Sequence, residues 1–173
     1  RKIMVERQIA ARGIHGPRVL TAMLEIPRHL FIPPPHDRAA YEDNPLPIGN
    51  GQTISQPYIV ALMTELLHLT PTDNVLEIGA GSGYQAAIIS RLVRRLTTIE
   101  RIAAIADLAR TNLKSLGIDN VVVIEGDGTH GYPGNSLYDG IIITAATPKV
   151  PQPLIEQLAD GGTLVAPVVG RDF

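Results

Sequence analysis

The sequence predicts an α/β fold: a doubly wound, mainly parallel sheet of the Rossmann-like type behind an N-terminal extension of helices and loop. Three observations predict it. From residue 74 onward, short apolar runs rich in β-branched residues alternate with stretches of helical length, the pattern of strand–helix units around a parallel sheet covered on both faces. A glycine-rich turn, Gly79-Ala80-Gly81-Ser82-Gly83, stands between the first such strand and the helix after it. The 173 residues are 45% hydrophobic and 18% charged, which suits one domain with a sizeable core.

Taken in order, residues 3–12 and 18–25 carry helical apolar spacing, through Ile3, Met4, Ile9 and Ala10 and then Val19, Leu20, Met23 and Leu24. Pro27 and the run Pro33-Pro34-Pro35 end any helix, because proline lacks an N–H and restricts the residue before it. An extended loop is expected from there to about Ser55. Ile59, Leu62, Met63, Leu66 and Leu67 place an amphipathic helix over Gln56 to His68, with Pro57 in its first turn and Ser55 as its N-cap. Asn74 to Ile78 is a short buried strand, Tyr84 to Arg95 a helix, and Leu96 to Glu100 a strand. A helix over Arg101 to Leu116, closed by Gly117, is followed by a strand over Val121 to Glu125. Tyr138 to Ala145 is the fourth strand, Pro151 to Leu158 a helix stopped by Gly161-Gly162, and Thr163 to Val169 the fifth strand. Sheets of this kind bind ligands at the carboxyl ends of their strands, so function is expected in the loops that follow them.

Composition excludes several classes. Lys plus Arg number 15 against 17 Asp plus Glu, a formal net charge of -2, so no basic excess exists for a nucleic-acid partner. The chain has no Cys, which removes disulfides, thiolate metal sites and cysteine nucleophiles. Its five His show no metal-ligand spacing, and no metal is expected. Apolar runs are short and broken by Pro, Gly or charge, and a cytoplasmic protein without a membrane partner is expected. The oligomeric state stays open, with a monomer as the default.

The chemistry centres on Glu77-Ile78-Gly79-Ala80-Gly81-Ser82-Gly83-Tyr84. Alternate glycines let the backbone turn sharply and approach a ligand, and the helix start beyond offers free N–H groups. A dinucleotide fingerprint can be laid on Gly81-Ser82-Gly83-Tyr84-Gln85-Ala86, but the strand meets Gly79, and in that frame the run reads E-x-G-x-G-x-G. A carboxylate at Glu77 repels a pyrophosphate and attracts a cation such as S-adenosyl-L-methionine. Glu100 ends the second strand 21 residues after Gly79 and suits the hydroxyls of a ribose, which NAD also carries. Asp127, in Gly126-Asp127-Gly128 after the third strand, suits an adenine amino group.

Further motifs carry a family resemblance. Pro27-Arg28-His29-Leu30-Phe31, Ala40-Tyr41-Glu42-Asp43, the run Pro45 to Pro57 with Gly51-Gln52-Thr53-Ile54-Ser55-Gln56-Pro57, Gly126-Asp127-Gly128, and Tyr138-Asp139-Gly140 through Ala145-Ala146 resemble the protein-L-isoaspartate O-methyltransferases over essentially the whole chain. The resemblance implies the S-adenosylmethionine-dependent methyltransferase version of the fold, and methyl transfer to the α-carboxylate of L-isoaspartyl residues in damaged proteins and peptides. The ester then closes to a succinimide, and S-adenosyl-L-homocysteine is the other product. It implies Ser55 as the active residue, Thr53 and Ile54 beside the substrate, and cofactor contacts from Glu77, Gly79, Ala80, Gly81, Ser82, Gly83, Glu100, Arg101, Asp127 and Gly128. It also divides the chain into residues 1–55, N-terminal helices and substrate loop, and residues 56–173, a cofactor-binding core expected to be truncated after its fifth strand. Two other readings stand beside it: an NAD-dependent oxidoreductase, and a module that binds adenosyl ligands without turnover.

Overall fold

The computed structural model describes residues 1–132 and 137–169. At the amino end, Met4–Ile9 winds as a π-helical turn and Ala10–Arg12 as a tighter 3-10 turn, where a single helix over 3–12 is expected from the spacing. Met4, Val5 and Ile9 are still the buried positions. Helix α1, Pro17–Glu25, opens on its proline and buries Val19, Ala22 and Met23. Ile26 turns extended ahead of Pro27, as a pre-proline residue does.

The segment expected to be an extended loop holds more structure. Short 3-10 turns run over Arg28–Phe31 and His36–Ala39. Strands β1, Leu46–Gly49, and β2, Gln52–Ile54, then form an antiparallel hairpin. Its turn is Asn50-Gly51, with φ of 50° and 69° at the two positions. Asn-Gly is the strongest short hairpin signal because both central residues of such a turn need positive φ. Leu46 and Ile48 alternate with exposed neighbours and pin the hairpin to the core.

Arg28 anchors the approach to this hairpin. It is completely buried, donates from Nε to the Ala40 carbonyl at 2.8 Å and from a terminal nitrogen to the Asn44 carbonyl at 3.4 Å, and lies over the Tyr84 ring. Burial lowers its pKa to about 10.

Helix α2, Pro57–Leu66, corrects a second expectation. Its N-cap residue is Gln56, and the side chain that reaches its first turn is Asp43, which accepts from the Tyr58 N–H at 3.4 Å. Asp43 also accepts from the Gln56 side chain at 2.8 Å and pairs with Arg12 at 2.6 Å. Ser55 is thereby left without a side-chain hydrogen bond among the described residues. Asp43→Ala is expected to cost about 1 kcal/mol, the usual cost of a lost cap. Thermal denaturation checks this, and an unchanged Tm would contradict the capping role.

The main sheet comprises β3 (Asn74–Ile78), β4 (Arg95–Glu100), β5 (Val121–Glu125), β6 (Tyr138–Ile143) and β7 (Leu158–Val165), in the order β5-β4-β3-β6-β7 with every pairing parallel. Helix α3, Tyr84–Ser90, is shorter than the expected Tyr84–Arg95: residues 91–94 form a turn and Arg95 opens β4. Helix α4 spans Ala103–Ser115 and α5 Gln152–Glu156. Strand β7 starts at Leu158 and runs through Gly161-Gly162, the pair expected to stop the helix, and it ends at Val165 rather than Val169. Adjacent strand residues face opposite sides. Val75 joins the larger core with α3 and the N-terminal segments, and Leu76 joins the second core with Ile99, Ile141 and Leu154 of α5. Strand order reverses between β3 and β6, and there the carboxyl ends open a crevice.

Candidate functional site

The glycine-rich turn lies at that crevice. Gly79, Gly81 and Gly83 all take positive φ, 98°, 53° and 90°. At Gly79 this combines with close approach, since a Cβ would stand 2.6 Å from the Thr144 Oγ1. The Thr144 hydroxyl is itself 2.9 Å from the Ile78 carbonyl and 2.5 Å from the Gly79 carbonyl, so the end of β6 holds the turn. From the other side, the N–H groups of Gly79 and Ala80 donate to the Ile99 carbonyl at 2.8 and 3.3 Å.

Glu100 completes the clamp. Its carboxylate accepts from the Gly81 N–H and the Ile102 N–H, both at 3.1 Å, and it is 7% exposed. It also faces a cleft of about 310 Å³ with apolar walls from Ile78, Ile99, Ile143 and Leu154 and a rim of Arg101, Asp127 and Gly128. That volume lies at the lower end for small-molecule sites. Asp127 is an exposed rim residue whose Oδ1 accepts from the Thr129 N–H at 2.9 Å and hydroxyl at 2.8 Å; these bonds hold its carboxyl below the usual range.

A smaller chamber of about 50 Å³ lies on the other side of Gly79. Thr53, Ile54 and Ser55 line it from the hairpin, and Ala80, Gly81 and Ser82 from the glycine turn. The half-buried Ser55 and the exposed Thr53 therefore meet the turn from which they are separated by some two dozen residues of sequence. Gly79 lines both cavities, and Gln52 carries the hairpin into the larger one. Gly83 belongs to neither and serves as the N-cap residue of α3.

Glu77 lies elsewhere than the charge argument expects. It is fully buried, lines neither cavity, and neither of its carboxylate oxygens has a hydrogen-bond partner among the described residues. Burial raises its pKa from 4.5 to about 8, and the Thr98 hydroxyl and the Glu100 carboxylate make smaller, opposing contributions. A carboxyl raised in the folded state stabilises the fold below its unfolded pKa and loses that contribution as pH rises through the folded value. The unliganded chain is thus expected to lose stability between pH 4.5 and pH 8. Glu77→Gln removes that loss, and denaturant unfolding at both ends of the range checks it; parallel profiles for the two proteins would contradict it.

The residues present fit an adenosyl ligand. The glycines of the turn leave its backbone open to approach, Ile78, Ile99, Ile143 and Leu154 give the cleft apolar walls, and carboxylates stand at the end of β4 and in the loop after β5. The buried Ser82 hydroxyl, which borders the smaller chamber, has no hydrogen-bond partner among the described residues. Sequence reasoning missed Gln52 of β2, Thr144, Ala145 and Ala146 of the loop after β6, and Leu154 of α5 as lining residues, all of them uncharged.

A family model described as protein-L-isoaspartate(D-aspartate) O-methyltransferase matches residues 1–172. The chain belongs to this family. Curated relatives named protein-L-isoaspartate O-methyltransferase include one from Methanoregula boonei, 69% identical over 99% of this chain and 79% of the relative. Another, from Methanospirillum hungatei, is 61% identical over 100% of this chain and 80% of the relative. A solved structure of the same name superposes with a TM-score of 0.87 at 34% identity, covering 96% of this chain and 55% of that one. A Plasmodium falciparum structure described as a beta-aspartate methyltransferase in complex with S-adenosyl-L-homocysteine gives 0.83 at 26% identity over 98% of this chain and 84% of that one. For this member of the isoaspartate methyltransferase family, the cleft at the carboxyl ends of β3, β4 and β5 is the candidate cofactor site, and the hairpin chamber the candidate substrate site.

Proposed function

We propose that this chain moves a methyl group from S-adenosyl-L-methionine to the α-carboxylate of L-isoaspartyl residues in damaged proteins and peptides, giving a methyl ester that collapses to succinimide. The observation that carries this reading is the sharing of Gly79 between the two cavities, one lined by Glu100 and Asp127 and the other by Thr53, Ile54 and Ser55. S-adenosyl-L-methionine, when bound, supplies an electrophilic methyl group on a sulfonium. A carboxylate acceptor is already ionised at pH 7, so the protein needs no general base. Its residues align and desolvate the acceptor, and alignment of this kind removes much of the entropic part of a barrier.

In this reading Glu100 accepts from the ribose hydroxyls while its bond to Gly81 keeps the turn in place. Asp127 would accept from the adenine amino group at the rim, and Ile78, Ile99, Leu154, Arg101 and Gly128 would line the place of the ring. The turn Gly79-Ala80-Gly81-Ser82 holds the amino-acid end. Ser55 orients the isoaspartyl carboxylate, with Thr53 and Ile54 shaping its approach. Glu77 is buried in β3, two residues ahead of the glycine turn, and lines neither cavity. Residues 1–55 carry the substrate face and residues 56–173 the cofactor core. No described helix is long and apolar enough to cross a membrane, and we place the enzyme in the cytoplasm, as a monomer acting on proteins rather than nucleic acid or membranes.

The test is incubation with methyl-labelled cofactor and an isoaspartyl peptide. Label released as methanol by mild base marks an ester and supports the proposal; base-stable label, or none, would overturn it.

A further inference from the structure

We propose that Gln157, at the carboxyl end of α5, is a positioning residue for purine specificity: it clasps the loop after β5 from outside the cleft and holds Asp127 where an exocyclic amino group is told from a ring carbonyl. The proposal rests on the adenosyl reading of the larger cleft given above.

Asp127 has only half of its carboxylate committed. Oδ1 takes both bonds from Thr129, whereas Oδ2 makes no hydrogen bond among the described residues and has the His130 Nε2 at 3.9 Å. An ionised carboxylate oxygen accepts and cannot donate. It therefore suits the amino group of adenine and opposes the carbonyl oxygen that stands in the same place in hypoxanthine. That selection holds only while the oxygen keeps its position, and Asp127 is exposed, in a loop. A rim carboxylate free to move would turn away from the wrong group at little cost.

The loop is fixed from two sides. On the side of the cleft, the Gly126 N–H donates to the Glu100 carbonyl at 3.0 Å, and Gly128 is buried against Ile78. On the far side, the side-chain amide of Gln157 spans Gly131. Its Nε2 donates to the His130 carbonyl at 2.9 Å, and its Oε1 accepts from the Tyr132 N–H at 2.8 Å. Gly131 has a φ of 64°, and a Cβ there would overlap the Gln157 amide, so the main chain lies against that amide only because the residue is glycine.

Gln157 is held in turn by its own main chain. Its N–H donates to the Pro153 carbonyl at 3.2 Å, and its carbonyl accepts from the Tyr138 N–H at 2.8 Å. Tyr138 also reaches Tyr132, through its hydroxyl at 3.0 Å, whereas the His130 carbonyl, at the end of the turn that Asp127 caps, is held by Gln157. Gln157 lines neither cavity, so its effect on a ligand has to pass through this loop. Leu154, three residues earlier, walls the cleft. The segment that supplies an apolar wall for the purine thus also supplies the clasp that holds its polar rim.

The experiment titrates S-adenosyl-L-homocysteine and its inosine analogue, S-inosyl-L-homocysteine, into the full chain by calorimetry, and reads the ratio of the two Kd values. A hydrogen bond to a charged partner implies a ratio of about 10- to 100-fold in favour of the adenosyl ligand in the wild-type chain. Gln157→Met, which keeps the length of the side chain and removes its donor and acceptor, is expected to bring the ratio close to unity, chiefly by weakening the adenosyl ligand. Asp127→Asn should do the same, and adding Gln157→Met to it should change the ratio no further, because the two act as one unit. Gln157→Glu, which keeps an acceptor for the Tyr132 N–H, should fall between, and it carries the test if Gln157→Met does not fold. A merely structural role weakens both ligands equally, so an unaltered ratio in the Gln157 variant overturns the inference. If Asp127→Asn abolishes the ratio while the Gln157 variant keeps it, this inference alone is defeated. A ratio near unity in the wild-type chain, or binding of neither ligand, defeats the adenosyl reading and this inference with it.

Discussion

Gly79→Ala is expected to weaken S-adenosyl-L-homocysteine binding by about two orders of magnitude, the product of a backbone cost of about 1–2 kcal/mol for a side chain at positive φ and a further displacement of the turn. The displacement follows from the position of the added Cβ, 2.6 Å from the Thr144 hydroxyl that also bonds the turn carbonyls. Moving Thr144 disturbs both cavities at once, because it lines the smaller chamber and fixes the residue that lines both. Calorimetric titration reads the affinity directly. The double variant Gly79→Ala with Thr144→Ala should recover only part of the loss, since it relieves the contact and leaves the φ of 98°. Wild-type affinity in the single variant would show that the turn adapts, and would refute the account of the crevice.

Ser55→Ala has the second large expected effect, and its sign separates two roles. A single hydroxyl donor aimed at a reacting carboxylate contributes about 100-fold in turnover, the low end of what preorganised donors supply. Its loss should therefore lower kcat on an isoaspartyl peptide by about that factor. Affinity for S-adenosyl-L-homocysteine and Tm should stay unchanged. The structure argues for this split because Asp43, not Ser55, reaches the first turn of α2. Were Ser55 a cap after all, the variant would melt lower at unaltered kcat. Steady-state kinetics with thermal denaturation on the same preparation distinguish the two.

Much of the α/β core was legible because parallel strands covered on both faces read as uninterrupted apolar runs, as Val75-Leu76 and Ile141-Ile142-Ile143 do. The boundaries that moved did so for local reasons. Arg95 sits in β4 although its charge suits a helix face, being an exposed first residue of that strand. Gly161-Gly162 lies inside β7, a strand with only β6 beside it among the described residues. The hairpin went unread because Pro45 and Pro47 mask the alternation of Leu46 and Ile48, although Asn50-Gly51 announced the turn.

The site divides in the same way. Backbone-level features were readable: alternate glycines, a carboxylate at the end of β4 and another in the loop after β5. What required coordinates was pairing across distance. Thr144 holds Gly79 from 65 residues away, and Asp43 replaces the expected Ser55 cap from a loop whose own path depends on the buried Arg28. Glu77 shows the limit of reading charge from sequence. Its position beside the turn suggested attraction for a cation, and its burial makes it a carboxyl whose ionisation the fold opposes.

The most direct test of isoaspartyl methyl transfer is a paired measurement of kcat/KM on two peptides that differ only in an isoaspartyl or an aspartyl linkage at one position, with methyl-labelled S-adenosyl-L-methionine. The account predicts base-labile label on the isoaspartyl peptide and a kcat/KM for the aspartyl peptide lower by orders of magnitude. Equal transfer to both, or transfer to neither, would contradict it.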